Sequence, residues 1–488
     1  MLWLPILIPA VAGALTFLLG ERRTRRRNTV NLIAATAAAA ATLSLAGAAF
    51  QGTAAQASLP LGPGLQLAVR GDLTGLLFAC VVTLLWGVTL VYAIGYMSHD
   101  RNRARFFGFF AWCIAAANGV ALARDPLSLF VFYEILSLCT YPLVVHSGTP
   151  EAIAAGRKYL LYAFGGGAAL LAGTAWLVAI AGPVQFTPGG ALLAAESHTF
   201  ALRWVFALMA AGFCVKAALM PLHGWLPSAM VAPAPVSSLL HAVAVVKAGV
   251  FGIVRLVNDL FGPELATSLG VAQPLALAAA VTIGVASVIA LRQDDLKRRL
   301  AYSTVAQLAY ITLGTALCTP LAAAGALAHL AHHAVMKITM FFTVGSLGQT
   351  LHVKVLGTMG GVARRMPLTM ASFSVAALAL AGVPPLAGFA SKWLLAGGAF
   401  ESGDWWALLV YVSGGALTLG YMVPILLASV RPGAHEPAER WESDPRMLWP
   451  IIAVALASVV FGVSASAPWS PARWALAAVS PVFGGWTP

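Results

Sequence analysis

Runs of about twenty apolar residues, one after another, constrain this chain more than any other feature. Fourteen can be counted, near residues 2–20, 29–50, 73–97, 106–123, 126–146, 159–181, 203–221, 235–257, 271–291, 300–318, 321–350, 367–399, 406–430 and 447–467. Each is long enough to cross a bilayer as a helix, where every backbone polar group must be satisfied within the segment. A soluble chain of 488 residues could not hide a composition that is 60% hydrophobic and 9% charged. The expected architecture is an all-α polytopic membrane protein. The runs at 321–350 and 367–399 exceed what a crossing needs, so both are candidates for a bend or a break.

The net charge of +12 does not point to nucleic acid, because its placement follows the loops. Basic residues cluster at Arg22 to Arg27, Arg101 to Arg105, Arg157–Lys158, Arg292 to Arg299, Arg364–Arg365 and Arg431 to Arg446. With the N-terminus outside, about 20 basic residues fall on the inner side against 5 on the outer (Arg70, Arg124, Arg203, Arg255, Arg473). That asymmetry is the positive-inside pattern, and it predicts both termini on the outer face of a bacterial inner membrane. The first run has no basic stretch before it and several arginines after it, the reverse of a cleaved signal, so it is expected to remain as the first span. Five cysteines scattered through the apolar runs offer no C-x-x-C and no iron–sulfur or zinc framework. No cofactor is expected on this chain.

Four lysines (Lys216, Lys247, Lys337, Lys392) and one acid (Glu134) sit inside spans. Each costs roughly 2.5–3.5 kcal/mol at the bilayer centre. Unpaired, the five would cost on the order of 12–18 kcal/mol, comparable to the roughly 5–15 kcal/mol that holds a typical fold together. They must face the bundle interior and find partners or water. A carboxylate beside several ammonium groups can exchange protons at modest cost, which a proton relay requires. Structural pairing of Glu134 with one lysine is the plainer reading, but one glutamate cannot neutralise four lysines.

In "HLAHHAVMK", His329, His333 and Lys337 recur every four residues and form one stripe, with His332 slightly to the side. Imidazoles in such a stripe suit a water-assisted proton path. The spacing could also hold zinc, although no cysteine or acid stands near as a third ligand. His329 is equally a hydrogen-bonded core residue, whereas His241 shares its span with Lys247. His223 lies among prolines and reads equally as structural. Two runs are interrupted: four prolines follow Lys216 in "KAALMPLHGWLPSAMVAPAPVSS", and Pro384–Pro385 with two glycines precede Lys392 in "AGVPPLAGFASKW". Broken helices bearing a charge, one in each half of the chain, are the mark of an inverted repeat with transport at mid-membrane. "GGGAALLAG" lacks the strand–turn–helix setting of a nucleotide loop and reads as helix packing. Asp294 and Asp295 are expected to pair with the basic residues of their own loop.

The stretches "FVFYEILSLCTYPLV", "VKAALMPLHGWLPSAMVAPAPVSSLLHAVAVVKAGV", "LKRRLAYSTVAQLAYI" and "AGVPPLAGFASKW" closely resemble the antiporter-like subunits shared by respiratory complex I, Mrp-type cation/proton antiporters and membrane-bound hydrogenases. The resemblance runs from about residue 70 to 430. It implies about 14 transmembrane helices in two inverted five-helix repeats, with helices 7 and 12 discontinuous. The implied division is helices 1–3 over 1–105, helices 4–8 over 106–257, helices 9–13 over 258–430, and a cytoplasmic loop with helix 14 over 431–488. It also implies that Glu134 pairs with Lys216, that Lys247 bridges onward, that Lys337 is central and that Lys392 is the terminal charge. Lys392 in place of a glutamate departs from the M-type member of complex I and favours an L-, N- or Mrp-like member. The long lateral helix of the L type is absent. His241 with Lys247 is similar to the large A-type member of Mrp, for which this chain is far too short.

The sequence thus leads to a proton-translocating, antiporter-like subunit of a multisubunit complex, moving H⁺ along Glu134, Lys216, His241, Lys247, His329, His332, His333, Lys337 and Lys392. Cation/proton antiport of the Mrp D type is the favoured form. A proton-pumping membrane subunit of an NADH-quinone oxidoreductase or membrane-bound hydrogenase is the alternative. The expected partners are other membrane subunits, H⁺ and Na⁺, and the lipid bilayer. Two further classes compete: a metalloenzyme built on His329, His332 and His333, and a scaffold whose charges only hold the bundle together. No redox centre, nucleotide site or catalytic nucleophile is legible, so any enzymatic driving reaction belongs to the partners.

Overall fold

The computed structural model describes residues 1–62, 65–192, 198–239, 243–432 and 441–487. Helices dominate them. The first group is α1 (Leu4–Leu19), α2 (Thr24–Phe50), α3 (Leu73–Tyr96), α4 (Arg103–Leu122), α5 (Pro126–Val144), α6 (Pro150–Ala181) and α7 (Thr199–Lys216). Short pieces α8 (Trp225–Ser228) and α9 (Ala234–Ser238) follow, then α10 (Val245–Val254), which continues as a wider π-helical turn over Arg255–Phe261. The remainder is α11 (Pro263–Ser268), α12 (Ala272–Leu291), α13 (Leu296–Ala316), α14 (Pro320–Thr350), α15 (Val362–Arg365), α16 (Pro367–Ala381), α17 (Ala387–Glu401), α18 (Trp405–Val430), α19 (Pro445–Val463) and α20 (Pro471–Val479).

Local sequence sets many of these boundaries. Asp72, Asp125, Thr149, Asp295 and Ser470 each accept a backbone N–H of the following turn and so start α3, α5, α6, α13 and α20. Proline in the first turn of α5, α6, α14 and α16 fits where its missing N–H is not needed. Gly382, with φ of 98°, ends α16 in the left-handed conformation that a side chain would resist.

Nine helices among the described residues are long and apolar enough to cross a membrane. α13 and α14 are not in that set, for an instructive reason. They carry serines, threonines, histidines, glutamines, lysines and arginines, which lower their hydropathy, yet every residue of α14 from Ala322 to Leu347 is buried. α14 lies at the centre of the bundle, packed against α3, α9, α13, α16, α17, α19 and α20. A helix buried on all sides has no face that must be lipid-like.

Of the two over-long runs, only one is broken. The run at 367–399 splits into α16 and α17, whereas the run at 321–350 is one unbroken helix of 31 residues. The latter contains no proline beyond its first turn, and neighbours enclose it. Nor is the fold strictly all-α. Strands β1 (Gln56–Gly62) and β2 (Leu65–Arg70) form an antiparallel hairpin with Gln56 opposite Arg70 and Leu59 opposite Leu67. The alternation in "LQLAVR" carried this signal, and Val69 extends the pairing to Ala123 after α4. Asp295 spends its carboxylate on the Arg298 N–H at 2.8 Å, and among the described residues neither it nor Asp294 forms an ion pair with its own loop. The glycines of "GGGAALLAG" do pack helices: a Cβ at Gly166 would meet Val215, and one at Gly173 would meet Met209.

Candidate functional site: a buried polar chain around α14

His329, His333 and Lys337 share one face of α14, and all three are fully buried. The rings of His329 and His333 stack with centroids 5.7 Å apart at 17°. Lys247 approaches from α10, its Nζ 2.8 Å from His333 Nδ1. The periodicity of four therefore does bring these groups together, and a second helix supplies the expected lysine.

The rest of the constellation comes from residues that the sequence did not single out. Lys337 donates to Ser303 Oγ at 2.7 Å and to the Leu300 carbonyl at 3.1 Å. Ser303 donates to the Tyr421 hydroxyl at 3.1 Å, which donates to Thr418 Oγ1 at 3.1 Å. Gln307 Nε2 donates to the same Thr418 oxygen at 3.4 Å. Its Oε1 lies 3.1 Å from His329 Nε2, and His329 Nδ1 lies 2.9 Å from Ser391 Oγ. The imidazole is thus held between the Gln307 amide and the Ser391 hydroxyl, which also lies 3.3 Å from the Gly388 carbonyl. A polar chain thus runs from Lys337 through Ser303, Tyr421, Thr418 and Gln307 to His329 and Ser391.

Its chemistry is uneven. Hydroxyl groups donate and accept at once and can pass a proton along. A side-chain amide has no proton to give near neutrality, so Gln307 orients His329 and Thr418 but does not conduct. Serine, glutamine and tyrosine at 303, 307 and 310 in "YSTVAQLAY" fall on one helical face, a periodicity that could have flagged them.

Lys392 follows the break between α16 and α17 and reaches back to it. Its ammonium donates to the carbonyls of Leu380 at 2.7 Å and Ala381 at 3.2 Å, the last residues of α16, and lies 4.9 Å from the Tyr310 ring. A cation at a helix C-terminus satisfies orphaned carbonyls and meets the favourable end of the dipole. α19 supports the break through Gly462, where a Cβ would be 2.6 Å from the Ala387 nitrogen.

The first half is sparser. Lys216 is the last residue of α7 and is buried; its ammonium donates to the Tyr133 carbonyl and lies 3.2 Å from the Tyr133 ring. Among the described residues no direct ion pair joins it to Glu134, the next residue of α5, although the two charges lie near enough to interact. The carbonyl and ring face of Tyr133 hold the ammonium instead. Glu134 is half-buried, and its Oε1 has no hydrogen-bond partner among the described residues. Gly167 of α6 leaves room for it, since a Cβ there would be 2.6 Å from that oxygen. Four prolines (Pro221, Pro227, Pro233, Pro235) keep the chain after Lys216 in short pieces, and Gly249 of α10 packs directly on the Lys216–Ala217 backbone.

Two expected members stand apart. His332 is buried on another face of α14, its ring 6.3 Å from Phe461 of α19, with neither ring nitrogen hydrogen-bonded among the described residues. His241 lies outside the described residues. Among those described, no group of three or more histidine, cysteine, aspartate or glutamate side chains is placed to hold a metal.

Over residues 123–418 the chain matches the family described as NADH:quinone oxidoreductase/Mrp antiporter, and over 63–107 the family described as the N-terminus of complex I NADH-ubiquinone oxidoreductase chain 5. It is 35% identical over 395 residues to the N subunit of NADH-quinone oxidoreductase from Desulforudis audaxviator, covering 77% of this chain and 77% of that protein. It is 26% identical over 470 residues to the D subunit of the Na⁺/H⁺ antiporter from Alkalihalophilus pseudofirmus, covering 95% and 93%. In fold it is similar to a chain of the Mrp complex from Dietzia sp., with a TM-score of 0.88 at 22% identity over 99% of this chain and 97% of that one. A chain of an archaeal membrane-bound sulfane sulfur reductase gives 0.87 at 23% identity, over 99% and 98%.

Proposed function

The chain belongs to the family of antiporter-like membrane subunits shared by NADH:quinone oxidoreductase and the Mrp antiporters, and from that premise we propose that it moves protons through the bundle along the buried Lys–His–hydroxyl chain. The observation that carries this reading is the run of short contacts from Lys247 to His333 and from Lys337 through Ser303 and Tyr421 to Thr418, all between fully buried side chains. Satisfying ammonium groups for structure alone needs backbone carbonyls, as at Lys392. Hydroxyls and imidazoles in sequence add groups that can both receive and release a proton.

The form we favour is cation/proton antiport of the Mrp D type, supported by the similarity to an antiporter's D subunit along nearly the whole of both chains. We place the chain in a bacterial inner membrane beside other membrane subunits of a hetero-oligomeric complex, with both termini outside. Its fourteen spans fall into helices 1–3 (1–105), two inverted five-helix repeats (106–257 and 258–430) with helices 7 and 12 broken at Lys216 and before Lys392, and a last loop and helix (431–488). Glu134 belongs to the path as the carboxylate that Lys216 reaches when it leaves Tyr133. The higher identity to an N subunit of an oxidoreductase favours a second reading, a proton-pumping subunit of a redox-driven complex.

Proton flux in inverted vesicles holding the whole complex tests the common core. Glu134→Ala and Lys216→Ala should each lose flux while native gels show normal assembly. Unchanged flux with normal assembly would leave the charges as structure. Flux that persists without any electron donor and requires Na⁺ favours antiport; flux that needs a reductant favours the pump.

A further inference from the structure

A polar cavity of about 610 Å³ opens on the face that carries the arginine- and lysine-rich loops, lined among others by Asp100, Ala232, Asp295, Lys297, Gln349 and Lys354. It lies between the end of α14, the start of α13 and the short pieces that follow Lys216. Lys297 projects into its wall from the first turn of α13 and donates to the Ala232 carbonyl at 2.8 Å. Ala232 closes the single 3₁₀ turn Ala229–Val231, directly before Pro233 and α9.

The two ends of this contact differ in how firmly they are held. The start of α13 is anchored three ways: Asp295 caps the Arg298 N–H, Leu296 N–H donates to the Lys354 carbonyl at 2.9 Å, and Leu356 N–H donates to the Asp294 carbonyl at 2.9 Å. The segment from 225 to 232 holds two short pieces of 4 and 3 residues, each too short for a helical hydrogen-bond ladder of its own. Its first piece is tied by Trp225 Nε1, which donates to the Val215 carbonyl at 2.8 Å, and by Lys158, which donates to Ser228 Oγ at 3.1 Å; the half-buried Lys297 ammonium ties its other end, at Ala232, to the firm rim. Behind that segment lie Ser237 and Ser238, both fully buried and in contact with α14 through α9.

We propose that Lys297 is a positioning residue that gates this cavity: its ammonium on the Ala232 carbonyl holds the 225–232 segment closed, and its release opens the cavity toward Ser237 and Ser238 of α9. Asp295, which lines the same cavity, is the group to which the released ammonium would turn. The inference rests on the proton-path reading for what passes through, but the gate itself is a claim about accessibility and is tested without measuring flux.

The test is the rate of maleimide labelling at Ser238→Cys in the purified whole complex, with the native cysteines as background; four of them are buried and Cys318 is half-buried. Losing a charge-assisted hydrogen bond shifts an opening equilibrium by on the order of ten-fold or more. Lys297→Gln should therefore raise labelling at position 238 about ten-fold, and Lys297→Arg, which keeps a cationic donor, should restore the slow rate. Labelling of the buried Cys113 should not change. The gate is overturned if Lys297→Gln labels at the parent rate, if Lys297→Arg labels as fast as Lys297→Gln, or if Cys113 accelerates equally, which would mean general loosening. Lost flux from Glu134→Ala or Lys216→Ala bears on the path and leaves this outcome untouched.

Discussion

Lys216 and Lys392 solve the same problem with different neighbours. Each sits at an interruption of a helix, each gives its ammonium to a backbone carbonyl, and each lies over a tyrosine, Tyr133 or Tyr310. What surrounds them differs. Lys392 caps two carbonyls at the end of α16, and the next residue back, Ser391, joins it to the polar chain through His329. Lys216 has Tyr133 and, one residue further along α5, a carboxylate oxygen with no hydrogen-bond partner among the described residues. Lys392 places two of its three N–H donors on carbonyls, whereas Lys216 has one carbonyl and a ring face. A cation held by two carbonyls has less reason to move than an ammonium with one carbonyl and a carboxylate nearby. On the proposed reading, the first half is suited to a change of partners and the second to holding the polar chain around α14 in line.

If so, the halves should fail differently. The largest effect is expected from Lys337→Ala, which removes the ammonium that heads the hydroxyl chain. Proton flux per assembled complex should fall by about a hundred-fold or more, the scale on which positioned proton-transfer groups act. Lys216→Ala should also lose flux if both halves serve the proposed path, while variants of smaller effect separate them. A variant at one site that leaves flux intact while the other abolishes it would break the comparison and make one half structural.

Next come the glycines on which the two interruptions rest. Gly249→Val pushes a side chain into the Lys216–Ala217 backbone, and Gly462→Val pushes one into Pro385 to Ala387. Overpacking of this kind costs about 1–3 kcal/mol. Melting of the purified complex should shift downward for both. Flux should suffer more from Gly249→Val, since only the first site depends on movement; equal flux losses would contradict that asymmetry.

A smaller effect is expected at Ser303→Ala. It removes the hydroxyl between Lys337 and Tyr421, a link worth about 0.5–1.5 kcal/mol, so flux should fall roughly three- to ten-fold if the chain conducts. Normal flux would mean that Lys337 discharges through another route, and that Ser303 only satisfies it.

The membrane class and the intramembrane charges were legible because hydropathy and charge speak one residue at a time. The stripe on α14 followed from helical periodicity, whereas the contact of Lys247 with His333 joins two different helices and did not. What escaped were contacts that depend on three-dimensional crossing. Ser303, Gln307, Thr418 and Tyr421 are ordinary helix residues until α13, α14 and α18 meet. Gly249 and Gly462 look like any other small residue in a span. That Glu134 and Lys216 interact without a direct ion pair has a subtler reason. Charge pairing predicts the nearest opposite charge, but a backbone carbonyl and an aromatic face, invisible in a charge count, stood closer. The β-hairpin escaped because its alternation spans only six or seven residues, a faint signal between apolar runs of twenty.

The finest test of the comparison lies in the two tyrosines. Tyr133→Phe and Tyr310→Phe keep the ring under each lysine and remove only a hydroxyl, which donates to the Gly212 carbonyl at 2.9 Å and to the Tyr411 carbonyl at 3.0 Å. Each should lower stability by about 0.5–1.5 kcal/mol and leave flux near the parent value. Replacing the ring is different. Tyr133→Leu strips Lys216 of the aromatic face at 3.2 Å, a contact worth up to about 2 kcal/mol when dry, and frees the ammonium toward Glu134. Tyr310→Leu leaves Lys392 its two carbonyls but removes the ring that stacks on His329 at 6.0 Å. Flux in the two leucine variants therefore separates the sites. A change in the pH dependence of flux with Tyr133→Leu alone places the movable charge in the first half. The same change with Tyr310→Leu alone would reverse the assignment, making His329 and its ring support the adjustable element and Lys216 the fixed one.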